Sequence, residues 1–123
     1  MKGGCLCGAV RYEVDPPLRD VILCHCEMCR KSHGHVGAYT AAPKTALRLT
    51  ESRGLKWYKS SETARRGFCR ECGGTLFWER PAGDLISIAA GTLDGPTGLE
   101  TTLQIYVDDA GDYYEIDSKV PRR

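Results

Sequence analysis

The sequence predicts a mostly β protein of many short strands and little helix, on three observations. Apolar residues recur at every second position, as in Val10, Tyr12 and Val14. Clusters of Gly, Pro and Asp punctuate the chain at short intervals. No window of eleven or more residues carries the apolar stripe of an amphipathic helix.

The elements follow in order. Val10, Tyr12 and Val14 share one face and Arg11 and Glu13 the other, which predicts a half-buried strand ending at Asp15-Pro16-Pro17. Glu27 to Ser32 is the one stretch expected to make a helical turn. Leu47/Leu49 and Leu55/Trp57 predict two short strands. Thr75–Glu79 and Leu85–Ala90 read as a hairpin joined by Pro81-Ala82-Gly83-Asp84. After a turn at Asp94-Gly95-Pro96, the alternation of Leu103, Ile105 and Val107 predicts a last strand, closed by Asp109-Ala110-Gly111-Asp112. No repeat or linker divides the chain, so residues 1–123 are expected to form a single domain.

A chain of 123 residues with 41% hydrophobic composition has a modest core, and metal sites are the natural supplement. Lys+Arg total 17 against 16 Asp+Glu, a net charge of +1. That balance argues against nucleic acid or a membrane surface as partners held by bulk charge. No apolar run is long enough for a signal peptide or a membrane span, so the expected compartment is the cytoplasm, where thiols stay reduced. The Arg65-Arg66 pair reads as a solvated edge rather than as a contact for an anionic substrate.

The cysteines carry the chemistry. All seven fall in three clusters: Cys5-Leu6-Cys7, Cys24-His25-Cys26-Glu27-Met28-Cys29 and Cys69-Arg70-Glu71-Cys72. Buried thiols of no special role would be scattered; intervals of two and three residues are metal-ligand spacing. A redox dithiol is the rival for Cys-x-x-Cys, but no βαβ context accompanies it. The simplest division joins Cys5, Cys7, Cys69 and Cys72 around a structural zinc and leaves Cys24, Cys26 and Cys29 as a second site, one ligand short of closed. Spacing alone leaves other groupings open. Three protein ligands and an exchangeable position are typical of catalytic zinc.

The remaining candidates are read conservatively. His25 lies between two ligands and should point away from their metal, whereas His33 and His35 are close enough in sequence to reach back. A core or surface role is favoured for both over ligation. Asp94 could act as a base or support the metal, but a turn cap is favoured. Trp57, Tyr58, Phe77 and Trp78 could line an apolar pocket, with core packing favoured for at least half of them.

Four segments resemble one family. Gly4-Cys5-Leu6-Cys7-Gly8-Ala9-Val10-Arg11-Tyr12, Cys24-His25-Cys26-Glu27-Met28-Cys29-Arg30-Lys31-Ser32, Phe68-Cys69-Arg70-Glu71-Cys72-Gly73-Gly74-Thr75-Leu76-Phe77 and Ala90-Gly91-Thr92-Leu93-Asp94 resemble, in the same order, the motifs of the glutathione-dependent formaldehyde-activating enzymes and their relatives, including centromere protein V. The resemblance implies a zinc-binding β-tent of coiled antiparallel sheets. It implies Cys5, Cys7, Cys69 and Cys72 as structural zinc ligands and Cys24, Cys26 and Cys29 as catalytic zinc ligands, two zinc ions in all, with the second site open to partial occupancy. It also implies a carbon–sulfur lyase that joins glutathione to formaldehyde as S-(hydroxymethyl)glutathione, so that a small thiol such as glutathione is the expected partner. The alternative is a zinc-stabilised interaction module without catalysis, since relatives with this fold bind proteins or chromatin. The chain departs from the family pattern at Gln104, where relatives frequently place a histidine, and at Tyr113-Tyr114, where a tryptophan is common.

Overall fold

A computed structural model describes residues 1–123. Ten strands and one short helix follow in order: β1 (Lys2–Gly4), β2 (Arg11–Val14), β3 (Val21–Cys24), α1 (Glu27–His33), β4 (Gly37–Pro43), β5 (Leu47–Glu51), β6 (Leu55–Lys59), β7 (Arg65–Cys69), β8 (Thr75–Glu79), β9 (Leu85–Ala89) and β10 (Thr101–Ile105). They form a three-stranded sheet, β1-β2-β5, and a seven-stranded sheet, β10-β3-β4-β9-β8-β7-β6. The mostly β expectation holds. Every pairing is antiparallel except that of β10 with β3, which is parallel.

The β8–β9 hairpin forms where the turn residues placed it, with Phe77 opposite Ile88 and Glu79 opposite Ile86. The helix runs one residue beyond the expected turn and ends at Gly34, whose φ of 78° is open to a residue without a Cβ and whose N–H returns to the Arg30 carbonyl. One expectation is corrected. Val107 leaves the strand, because β10 stops at Ile105 and a 3-10 turn over Val107–Asp109 follows. Four strands, β1, β3, β4 and β7, have no counterpart in the sequence reading. Both β4 and β7 lie inside the large sheet with much of each face covered, so they lack polar alternation. No helix is long and apolar enough to cross a membrane.

Two apolar clusters form, the larger joining residues of both sheets and the smaller made by the seven-stranded sheet and α1. The larger centres on Tyr12, Leu76, Phe77 and Ile88 and includes Cys5 and Cys69. The smaller gathers Cys24, Cys29, Tyr39 and Ala89, with Trp78 and Ile105 against it. The end of the chain returns to lie parallel beside β10: the Gln104 amide donates to the Pro121 carbonyl and the Arg123 amide to the Gln104 carbonyl.

The aromatic candidates divide among three roles. Phe77 is core, Trp57 packs beside it, Tyr58 is exposed, and Trp78 faces the smaller cluster. Asp94 caps no turn and stands apart from the cysteine triplet. Its carboxylate pairs with Arg11 at 2.5 Å, and its amide donates to the Lys2 carbonyl. Nearby, the Thr92 hydroxyl donates to the Ala89 carbonyl, so the Tyr12 hydroxyl donates to Thr92 at 2.7 Å. These contacts tie the first and fourth family-like segments together.

Candidate metal centres

The seven sulfurs assemble into two groups. Cys5, Cys7, Cys69 and Cys72 form one and Cys24, Cys26 and Cys29 the other, with the ligand atoms of each group within 4.8 Å of one another.

The four-sulfur group is a junction between the start of the chain and its middle. Gly73, at φ 78°, makes the turn after Cys72, and its amide donates to the Cys69 carbonyl. Zinc–sulfur bonds of about 2.3 Å at tetrahedral angles set the sulfurs about 3.8 Å apart. Cys5–Cys7 and Cys7–Cys69 are each 3.7 Å. Backbone amides also point at the sulfurs: Val10 to Cys5 at 3.3 Å, Ala9 to Cys7 at 3.5 Å and Glu71 to Cys69 at 3.4 Å. Amides of Gly74 and Cys7 pull the Cys72 thiol down to about 6, which favours the thiolate a metal requires. The donor set fits a tetrahedral, thiol-loving ion such as zinc.

Gly54 gives this group its room. A Cβ there would lie 2.7 Å from the Cys69 sulfur and 2.8 Å from the Ala9 Cβ. Gly54→Ala is therefore expected to destabilise the protein by about 1–3 kcal/mol through overpacking. It should also weaken metal retention in a competition with chelator, and an unchanged melting temperature would count against this account.

The triplet is built differently. Cys24 ends β3, Cys26 is the N-cap of α1, and Cys29 lies in its first turn. The Cys26 sulfur accepts the Cys29 amide at 3.3 Å, so the cap itself draws two of the sulfurs together. A hydrogen bond from the Cys24 thiol pulls Cys29 down to about 6 against the opposing effect of burial, and Arg66 adds to the pull. The same contact, with burial, pushes Cys24 up. Three soft donors and no fourth suit a zinc with one open position. The three cysteines line a cavity of about 650 Å³ whose wall includes Ile22, Met28 and Trp78.

The histidines do not join the group. His25 is buried and turned away from the sulfurs, as its place between Cys24 and Cys26 implies. Its orientation follows from Gln104, whose amide nitrogen donates to the Asp117 and Val120 carbonyls and so leaves Oε1 to accept from His25 Nε2 at 2.9 Å. His25 Nδ1 then takes the Tyr114 hydroxyl at 2.6 Å. Thus Gln104 and Tyr114 hold the residue between two site cysteines. His33 Nε2 meets the Tyr39 hydroxyl at 2.6 Å and His35 Nδ1 the Tyr113 hydroxyl at 2.8 Å. Burial and then Arg66 hold the His33 imidazole below its usual range.

Arg66 overturns the reading of Arg65-Arg66 as a solvated edge. The two point to opposite sides of β7. Arg65 lies 4.0 Å over Trp57 and binds the Glu79 carboxylate through Nε at 2.9 Å and Nη2 at 2.6 Å. Arg66 is buried, with its guanidinium against Cys29. The interior position of β7 buries it, and the short sequence around two arginines carries no sign of that.

Comparison with known proteins agrees with this arrangement. Residues 1–109 match the family described as glutathione-dependent formaldehyde-activating enzyme. A Schizosaccharomyces pombe protein named as an uncharacterized lyase is 30% identical over 120 residues, which cover 96% of this chain and 86% of that one. The crystal structure of a Rhodobacter sphaeroides protein superposes with a TM-score of 0.67 at 30% identity, over 80% of this chain and 92% of the other.

Proposed function

Because this chain belongs to the glutathione-dependent formaldehyde-activating enzyme family, we propose that it is a zinc-dependent lyase that makes and breaks the carbon–sulfur bond of a thiol–aldehyde adduct, with glutathione as the thiol and formaldehyde as the aldehyde. The observation that carries the reading is the incomplete triplet: Cys24, Cys26 and Cys29 converge without a fourth protein donor and open onto a cavity.

In the forward direction the thiol sulfur adds to the aldehyde carbon, and the proton lost from sulfur ends on the oxygen as a hydroxymethyl group. The reverse reaction cleaves that bond and returns thiol and aldehyde. Cys24, Cys26 and Cys29 would hold a zinc ion, which would supply a site that favours the thiolate form of the incoming thiol. The chain does the rest by placement. Trp78, Ile22 and Met28 give the cavity its apolar wall, against which an adduct is shielded from water. Arg19, Arg80 and Arg123 line the same cavity and complement the carboxylates of a peptide thiol. The four-sulfur group serves as the structural zinc site of the same unit, residues 1–123, in the cytoplasm.

Metal content per chain, on protein purified without chelator, tests the reading. Two zinc ions are expected in the wild type and one in Cys26→Ser, with turnover of S-(hydroxymethyl)glutathione falling to the uncatalysed rate in the variant. One zinc in both proteins would instead support the non-catalytic interaction module.

A further inference from the structure

Arg66 is 7% exposed, and a guanidinium taken out of water needs an anion. Its Nη2 lies 3.6 Å from the Cys29 sulfur, and its Nη1 lies 3.2 Å from the Ser32 hydroxyl and 3.4 Å from that of Tyr39. Its Nε is buried without a partner in the chain. None of these neighbours is a carboxylate. Arg65 shows the contrast one residue away, since its charge is met by Glu79. Among the side chains that Arg66 touches, the Cys29 sulfur is the one able to take a negative charge near neutral pH.

Charge arithmetic points the same way. Three thiolates around a divalent ion carry one net negative charge, and the guanidinium brings the assembly to neutrality. A fourth thiolate would then give a single negative charge, and without Arg66 two; of the four arginines that line the cavity, Arg66 is the one that donates to a sulfur of the triplet. The desolvation cost of a doubly charged group grows steeply.

We propose that Arg66 is the counter-cation of the Cys24/Cys26/Cys29 centre, a positioning residue that acts through Cys29 and allows a further thiolate to join three already present. This rests on the reading of the triplet as a metal centre. By donating to the Cys29 sulfur, Arg66 lowers the energy of the lone pairs that sulfur offers to a metal. The centre thereby keeps an appetite for one more donor that three unmodified thiolates would have blunted. Ser32 and Tyr39 hold the guanidinium plane in place without competing for its charge.

Cobalt(II) replaces zinc as the probe. Wild type, Arg66→Met and Arg66→Lys are titrated with cobalt, and Cys26→Ser supplies the spectrum of the four-sulfur site alone. In Arg66→Met the affinity of the cobalt-loaded second site for added glutathione is expected to fall by about 10–100-fold. Its sulfur-to-cobalt charge-transfer band should move to longer wavelength, and lysine should restore part of both changes. The four-sulfur site should stay loaded in every variant, which reports an intact fold. Equal affinity and an unmoved band in Arg66→Met would overturn the proposal while the metal reading stands. A wild-type chain that binds one cobalt would overturn both. Loss of both metals in both Arg66 variants would make Arg66 a folding residue and also overturn it.

Discussion

Cys69→Ser is expected to leave the chain unfolded, and chelation of the wild type should do the same. Cys69 is fully buried in the larger apolar cluster, accepts the Glu71 and Cys72 amides, and lies 3.7 Å from the Cys7 sulfur. The four-sulfur group thus closes a loop between residues 62 positions apart, whose entropy the chain must otherwise surrender unaided. Structural zinc contributes about 10–16 kcal/mol of apparent binding energy at neutral pH, whereas a native domain is stable by only about 5–15 kcal/mol. Removing one ligand should therefore exceed the margin. Far-UV circular dichroism with metal analysis checks this, and a cooperative melt near the wild-type temperature in metal-free protein would refute it.

Phe77→Ala is the second large effect, and it separates the two halves of the structure. Phe77 is 1% exposed. Its ring meets Tyr12 edge-on at 5.4 Å and stacks on Trp57 at 6.1 Å. Truncation leaves a cavity among rigid strands, for which about 3–5 kcal/mol is the usual cost. The melting temperature should fall by at least about 10 °C. Because Cys24 and Cys29 belong to the smaller cluster with Tyr39 and Ala89, metal affinity of the triplet in the folded variant should change little. A large loss there would show that the two clusters are one energetic unit.

These cases also explain what was legible in the sequence. Ligand spacing is local, so the three cysteine clusters could be read directly, and so could His25, which cannot face a metal held by both its neighbours. The β8–β9 hairpin was legible because its turn residues lie within one short stretch. The division of the sulfurs is a tertiary fact that spacing left open and the folded chain supplies. Strand β4 escaped notice because Ala41 and Ala42 are both buried, so alternation vanished. Arg66 escaped because an arginine's partner, here a sulfur 37 residues away, leaves no local trace. The clamp on His25 was missed for the same reason: Gln104 and Tyr114 stood out only as departures from a pattern.

That clamp has a consequence for association. In the seven-stranded sheet β10 is the last strand, paired on one side with β3. An open strand edge is a template onto which another chain can add, the first step of many aggregates. Here Pro121–Arg123 run beside Gln104 and take up its backbone groups on that outer side. The segment that steadies the cysteine triplet from behind therefore also blunts the edge, so that site geometry and resistance to strand addition depend on the same few residues.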